Sequence, residues 1–204
     1  PRFLGRKTVT SGRPGWGNSG LVAFGVSYAT LLIEDVGGYA RGTELLQRLN
    51  NIHKMFRHHP LTRDNTLRPW LRFIAWQVRI RIKQDNYFYW IGGSKLLVRR
   101  GMNGATGNIY CGLHEAVDMM FVMHFLRPDD VFVDVGANVG SYTILSAGVA
   151  GSTTHSFEPD PGTMKFLLRN ISVNELDRIV FCHQRALGET NEIIKFTVGR
   201  GTTN

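Results

Sequence analysis

The sequence predicts an α/β protein with a parallel sheet, preceded by a basic helical extension. Three observations lead to this fold class. Strand-like and helix-like segments alternate from Val131 to His183, as they do in parallel βαβ units. A glycine-containing turn, 136–140, directly follows the first of these strands. Upstream, the 44–100 stretch shows apolar residues at helical spacing and carries much of the positive charge.

The charge is unevenly distributed along the 204 residues. Lys and Arg outnumber Asp and Glu by 17 to 5 through Arg100 and stand at 7 to 11 from Gly101 onward, so the net charges are +12 and −4. We divide the chain into an unassigned segment, 1–43, a basic helical and hairpin extension, 44–100, and an α/β domain, 101–204. Basic segments can bind nucleic acid, anionic lipid or acidic glycans. Basic residues on an amphipathic helix are more often its solvated face, and we expect no nucleic-acid partner.

The extension is predicted to consist of two helices and a hairpin. Apolar residues recur at helical spacing over 44–56 and again over 68–83. The second helix is expected to bury a stripe made of Trp70, Phe73, Ile74 and Gln77. Two β-like runs, 87–91 and 95–98, flank a Gly-Gly-Ser segment, as in a hairpin. Farther upstream, the charge-free run 21–33 is too short to span a bilayer, so we interpret it as a buried strand or helix.

The α/β domain is predicted to begin with a loop and a helix and to continue with three strands. Residues 101–108 form a loop by composition. The next helix, 114–126, is expected to bury the stripe Val117, Met120, Phe121, His124 and Phe125. The segments that follow are strand 131–135, helix 141–150, strand 154–157, helix 163–173, strand 179–183 and a further β-run at 191–198.

The strand at 131–135 leads into the main functional signal. It is almost wholly apolar and β-branched, as expected of a central strand covered on both faces, and Asp134 interrupts it near its carboxyl end. Ligands bind outside the carboxyl ends of the strands in open α/β sheets. The residues that follow are Gly136, Ala137, Asn138, Val139 and Gly140. Their glycines allow the backbone to approach a ligand closely.

This turn does not match the dinucleotide pattern G-x-G-x-x-G. Asn138 occupies the second glycine position, and Ser141 follows Gly140 directly. A pyrophosphate favours a helix N-terminus without competing negative charge, whereas Asp134 suits a cationic ligand. S-adenosylmethionine has a sulfonium and an α-ammonium group and no phosphate. The turn therefore favours S-adenosylmethionine, and a nicotinamide-dependent Rossmann enzyme is kept as an alternative.

An acidic residue also ends the second strand. Glu158 stands 24 positions after Asp134 and is able to accept hydrogen bonds from both hydroxyls of a ribose. The alternative is that Glu158 caps the helix that begins near Thr163. Because Asp134 and the glycine turn precede it at a suitable distance, the ribose interpretation is favoured.

The same segments resemble the FkbM family of S-adenosylmethionine-dependent methyltransferases. The resemblance rests on D-V-G-A-N-V-G at 134–140, F-E-P at 157–159 and R-A-L-G at 185–188, and it extends from about Gly101 through Val198. It implies a Rossmann-like class I methyltransferase fold, of which 101–204 is the N-terminal part. It also implies methyl transfer to a hydroxyl oxygen of a sugar or another secondary metabolite, so a small molecule or glycan is the expected acceptor.

The resemblance implies a set of cofactor-binding residues and leaves the catalytic base unknown. The cofactor set is Asp134, Gly136, Asn138, Gly140, Glu158, Pro159, Glu115 and Ala186. Glu115 needs no such role, because an acid in the first turn of a helix is favourable in itself. The candidate bases are His114, His155 and His183, which titrate in a useful range but are more often structural. Asn108 and Tyr110 either border the acceptor site or serve as a turn and a core residue.

The predicted sheet lacks strands that a class I methyltransferase contains. In that fold the fourth strand flanks the first, so the outer edge of 131–135 is expected to be unpaired, which favours aggregation. We therefore expect the chain to be truncated after the third parallel strand and the fragment alone to have little activity. Cys111 and Cys182 are isolated, which indicates neither a metal site nor a disulfide scaffold and fits a cytoplasmic protein. A non-catalytic module that binds a polyanion through the basic helices is the second alternative.

Overall fold

The structure, a computed structural model, describes residues 21–24, 42–100 and 102–190. The elements in chain order are β1 (Leu21–Phe24), α1 (Gly42–His58), α2 (Leu67–Ile82), β2 (Asn86–Tyr89), β3 (Lys95–Val98), α3 (Asn103–Cys111), α4 (Ala116–Phe125), β4 (Val131–Val135), α5 (Ser141–Thr143, continued by a π-helical stretch at Ile144–Val149), β5 (Thr153–Phe157), α6 (Pro161–Val173) and β6 (Val180–His183). The predicted α/β class and the helical N-terminal region are confirmed. Over the described ranges, no helix combines the length and apolar character needed to cross a membrane.

The main sheet is parallel, with the strand order β1-β4-β5-β6. α5 and α6 connect β4, β5 and β6, which confirms the predicted βαβ alternation. β1 pairs with the other edge of β4, so that Leu21 lies opposite Val131 and Phe24 opposite Asp134. The prediction that this edge is unpaired is therefore wrong, because the run interpreted as a strand or helix supplies a strand there. The rest of that run, 25–33, and the β-run predicted at 191–198 lie outside the described residues.

A helix, α3, replaces the loop predicted at 101–108. Gly104 and Gly107 lie inside it, and glycine has a low helix propensity, so composition favoured a loop. Ala105 and Thr106 are buried, and α3 packs against α2. A Cβ at Gly107 would lie 2.3 Å from His114 Nδ1. Close packing of small residues, which only the tertiary structure specifies, therefore stabilises this helix.

Two helices bury faces that differ from the predicted ones. The buried side chains of α4 are Ala116, Met119 and Val122. Of the stripe predicted for it, the exposed members are Val117, Phe121, His124 and Phe125. α4 is apolar around most of its circumference, so its sequence does not select one face. In α2, Phe73 is buried as predicted. Ile74 is exposed, and Trp76 is buried in its place.

One hydrophobic core joins the extension to the α/β domain. Its members include Ile52 and Phe56 of α1, Phe73 and Trp76 of α2, Leu96 and Val98 of β3, Tyr110 of α3, Val139 and Ile144. Val139 belongs to the glycine turn, so the extension packs directly against that turn. The boundary between residues 100 and 101 stays a prediction from composition, since the core crosses it.

Asn170 of α6 and Asn174, which caps the C-terminus of α6, hydrogen-bond the edge of β3 that does not pair with β2. Asn170 Oδ1 accepts from the Leu97 N–H at 2.6 Å, and Asn174 Oδ1 accepts from the Lys95 N–H at 2.7 Å. Asn170 Nδ2 also donates to the Val139 carbonyl in the glycine turn, at 2.8 Å. Asn170 therefore connects the hairpin, α6 and the turn.

Asn170→Ala is expected to lower the free energy of unfolding by about 2–4 kcal/mol, because the Leu97 N–H and the Val139 carbonyl would lose their partner in a buried site. Asn174→Ala removes similar bonds where the side chain is only half-buried. Water can replace them there, so its cost is expected to be about 1 kcal/mol. Urea denaturation followed by circular dichroism measures both, and equal losses would contradict burial as the cause of the difference.

Candidate functional site

The turn between β4 and α5 has left-handed backbone at three positions. The φ angles are 75° at Gly136, 51° at Asn138 and 95° at Gly140. The Gly136 and Ala137 N–H groups both donate to the Phe157 carbonyl at 2.9 Å, which holds the turn at the carboxyl end of β5. A Cβ at Gly136 would meet no other atom within 4 Å. The turn therefore leaves open space in which a ligand could approach the backbone.

Asp134 is a buried carboxyl group at the carboxyl end of β4. Its Oδ2 accepts a hydrogen bond from the Thr143 hydroxyl at 2.6 Å. Burial raises its pKa to about 6, against the lowering effect of the Thr143 donors, and the charge of Glu158 raises it further. Within 42–100 and 102–190, no Lys, Arg or His forms an ion pair with it. A negative charge here is costly by itself, and a cation would stabilise it.

A chain of buried hydroxyl groups lies between the sheet and α5. Thr143 Oγ1, the donor to Asp134, is also 2.8 Å from Ser156 Oγ of β5. One helical turn farther, Ser146 Oγ is 2.9 Å from Thr154 Oγ1. The sequence prediction missed these residues. The sequence signal that could have identified the β5 members is the alternation of Thr154 and Ser156, because polar residues are unexpected on a face of the strand that a helix should cover.

Glu158 is buried and holds two segments of backbone. Its Oε2 accepts from the Asn138 N–H and its Oε1 from the Asp160 N–H, both at 2.9 Å. Burial raises the pKa of Glu158, and the two backbone donors partly offset this. The helix-cap alternative is wrong, because Asp160 caps α6 by accepting from the Thr163 N–H at 2.6 Å. Each oxygen of Glu158 keeps acceptor capacity for a further hydroxyl.

The structure brings most of the predicted cofactor residues together at this edge of the sheet. The Asn138–Glu158 hydrogen bond connects the glycine turn to the loop after β5. Pro159 follows Glu158 and is half-buried. The Glu158 N–H donates to the His183 carbonyl at 3.1 Å, so the segment after β6 starts beside Glu158. Ala186 lies in that segment and is exposed.

Glu115 and Asn108 contact the start of α5, immediately after the glycine turn. The Tyr142 hydroxyl donates to Glu115 Oε2 at 2.7 Å, and Asn108 Nδ2 donates to Ser141 Oγ at 3.0 Å. Burial, followed by the charge of Glu115, raises the pKa of Tyr142, so its hydroxyl stays protonated and remains a donor. These bonds tie α3 and the N-terminus of α4 to α5. They give Glu115 a structural role, and its contact with a cofactor stays a prediction.

The other candidates occupy core or sheet positions. Tyr110 packs edge-on against Phe56 and Phe73, which favours the core interpretation over an acceptor site. His155 and His183 stack on adjacent strands, with Nδ1 and Nε2 3.1 Å apart. Desolvation lowers the pKa of His183, and burial lowers the pKa of His114. A lowered pKa favours the neutral ring, which can accept a proton, and the role of each ring as a base stays a prediction.

The chain was compared with family models, curated proteins and solved structures. No family model matches the chain, and no curated protein matches it. Two solved structures from Pyrococcus horikoshii are similar at 19% identity: PH0793, provisionally described as a transferase, with a TM-score of 0.43, and TYW2 in complex with MeSAdo, with a TM-score of 0.42. Each match covers 50% of this chain and 37% or 36% of the solved chain, respectively. Likenesses at this level define neither a family nor an activity, so the FkbM resemblance stays a prediction.

Proposed function

We propose that this chain is the cofactor-binding part of an S-adenosylmethionine-dependent methyltransferase. The observation that carries the proposal is the Asp134 carboxyl group, buried without a cationic partner among the described residues. It lies at the carboxyl end of a central parallel strand, where open α/β sheets bind ligands. A cofactor with a sulfonium and an ammonium group supplies the missing positive charge.

The residues around Asp134 fit the remainder of such a cofactor. The open space beside Gly136 allows close approach to the backbone. Glu158 retains acceptor capacity for the ribose hydroxyls while it holds the Asn138 and Asp160 N–H groups in place. By the FkbM resemblance, Pro159 and Ala186 flank the adenine. A nicotinamide dinucleotide fits less well, because its pyrophosphate would meet the carboxylate of Asp134 at the glycine turn.

The bound cofactor supplies a methyl group activated by the sulfonium. The chain itself contributes binding and orientation, since methyl transfer is an in-line displacement that depends on alignment. The sulfonium charge is lost as the methyl group leaves, so a carboxylate nearby favours the cofactor over its product. Asp134 is therefore proposed to act in binding and not in lowering the barrier. Following the FkbM resemblance, we further propose a sugar or secondary-metabolite hydroxyl as the acceptor.

Isothermal titration calorimetry with S-adenosylmethionine and with NAD tests the cofactor. We expect S-adenosylmethionine to bind and NAD to give no heat. Asp134→Asn and Glu158→Gln are each expected to weaken binding at least about tenfold, because each removes a buried charge-assisted contact. The control is Asp129→Asn, an exposed carboxyl group before the same strand, which is expected to leave affinity unchanged.

The pH dependence separates the role of Asp134 from a purely structural one. Only the ionised carboxylate attracts the cofactor, and its pKa is about 6 without ligand. Affinity is therefore expected to fall about tenfold per pH unit below this value and to be flat well above it. In Asp134→Asn that pH dependence should disappear. Binding of NAD alone, or equal S-adenosylmethionine affinity in the Asn variant, would contradict the proposal.

A further inference from the structure

α2 presents an exposed apolar stripe opposite its buried face. The stripe consists of Leu67, Leu71, Ile74, Val78 and Ile82, whose exposed fractions are 66%, 57%, 56%, 55% and 81%. Their spacing of four, three, four and four residues places them on one side of a helix. Phe73 and Trp76 face the other way, into the core. The stripe is therefore not needed for packing α2 against the described part of the chain.

Basic residues border this stripe, and α2 contains no acidic residue. Helical spacing places Arg68 and Arg79 along one flank and Arg81 along the other, and Lys83 follows the last turn. All four side chains are exposed. Arg79 donates to Asn86 and to the Tyr87 carbonyl, and Arg81 donates to the Gln77 carbonyl. No carboxylate of the described ranges pairs with these four residues.

We propose that α2 docks the protein onto an anionic lipid surface, lying parallel to it with the stripe in the interfacial region. A helix with an apolar face, flanking cations and a length of about 24 Å has the composition of an interfacial helix. The flanking guanidinium groups meet lipid phosphates and carboxylates while the aliphatic side chains enter the acyl boundary. The opposite face stays packed in the protein, so docking requires no unfolding of the helix.

Charge complementarity selects this partner over others. A second copy of the chain would bring the unpaired cations that flank one stripe close to those that flank the other. Their repulsion opposes self-association. A nucleic acid would satisfy the cations, but phosphate and base edges gain little from a row of five aliphatic side chains. An anionic membrane satisfies both features at once.

Flotation of the full chain with lipid vesicles tests the proposal. We expect binding to vesicles of phosphatidylcholine with about a third phosphatidylserine, no binding to phosphatidylcholine alone, and weakening by salt. The triple variant Leu71→Gln, Ile74→Gln, Val78→Gln and the double variant Arg68→Gln, Arg81→Gln are each expected to bind at least about tenfold less. Circular dichroism confirms that each variant is folded.

Matched controls change equally exposed residues elsewhere. The apolar control is Leu46→Gln, Leu168→Gln, Leu187→Gln, and the charge control is Lys165→Gln, Arg178→Gln. Both are expected to bind like the parent protein. Equal binding to neutral vesicles, or full binding by the triple variant, would overturn the proposal. So would a dimer that the triple variant converts to monomer, or binding to heparin or RNA in place of vesicles.

Discussion

Asp134→Asn is expected to make the protein more stable at neutral and alkaline pH while it weakens binding of the proposed cofactor. The pKa of Asp134 is raised from its ordinary value of 3.8 to about 6, chiefly by burial. Between pH 3.8 and about pH 6, the folded state therefore keeps a proton on Asp134 that the unfolded state has already released. Stability from this group is present below about pH 4 and is lost as the pH rises through 6, so the ionised carboxylate destabilises the fold above it.

The expected gain for Asp134→Asn is about 3 kcal/mol at pH 8 and close to zero at pH 4, since each pKa unit corresponds to about 1.4 kcal/mol. The amide oxygen of Asn can still accept from the Thr143 hydroxyl, so the existing hydrogen bond is kept. Urea denaturation of the parent protein and of the variant across this pH range measures the difference between their free energies of unfolding. The contributions of the other titrating groups cancel in this difference. Asp129→Asn serves as the exposed control. A stability difference that does not vary with pH would show that burial of the charge is not its source.

This destabilising carboxylate is the part of the site that sequence reasoning located most directly. An acid inside the run Val131–Val135 contradicts the apolar pattern of a central strand, and a buried charge that costs stability is expected where a ligand compensates it. Glu158 was located by its distance from Asp134 in sequence. Its hydrogen bonds to the Asn138 and Asp160 N–H groups were not predicted, because they depend on how two loops fold against each other.

From β4 to β6 the strands and helices follow from local sequence, whereas the packing of the helices does not. β4 is found at the predicted bounds because four of its five residues are apolar and three of these are β-branched valines. α4 was predicted as a helix, but its nearly uniform apolar surface gave no signal for the face that contacts α5. α3 was predicted as a loop because its glycines lower helix propensity, although one of them, Gly107, allows contact with the His114 ring. β1 pairs with β4 across more than a hundred residues, and no local pattern specifies such a partner.

Gly140→Ala is expected to lower the free energy of unfolding by about 2–5 kcal/mol and to abolish cofactor binding, for two separable reasons. The φ of Gly140 is 95°, a left-handed conformation that costs a residue with a Cβ about 1–2 kcal/mol. In addition, the new Cβ would lie 2.6 Å from Cδ1 of Leu167, which is fully buried and cannot move aside freely. Overpacking of this kind costs about 1–3 kcal/mol. Relaxation of the clash would displace the turn that positions Asn138 against Glu158.

Two further variants isolate these causes. Gly93→Ala has a similar φ of 81°, but its Cβ would meet no atom within 4 Å, so it is expected to show the backbone cost alone. Leu167→Ala removes the atom with which the new Cβ collides, although it leaves a cavity of its own. The double variant Gly140→Ala, Leu167→Ala should therefore be more stable than the sum of the two single losses by about 1–3 kcal/mol. Strict additivity in urea denaturation would show that Gly140 is required for its backbone conformation alone and that α6 does not restrain the turn through Leu167.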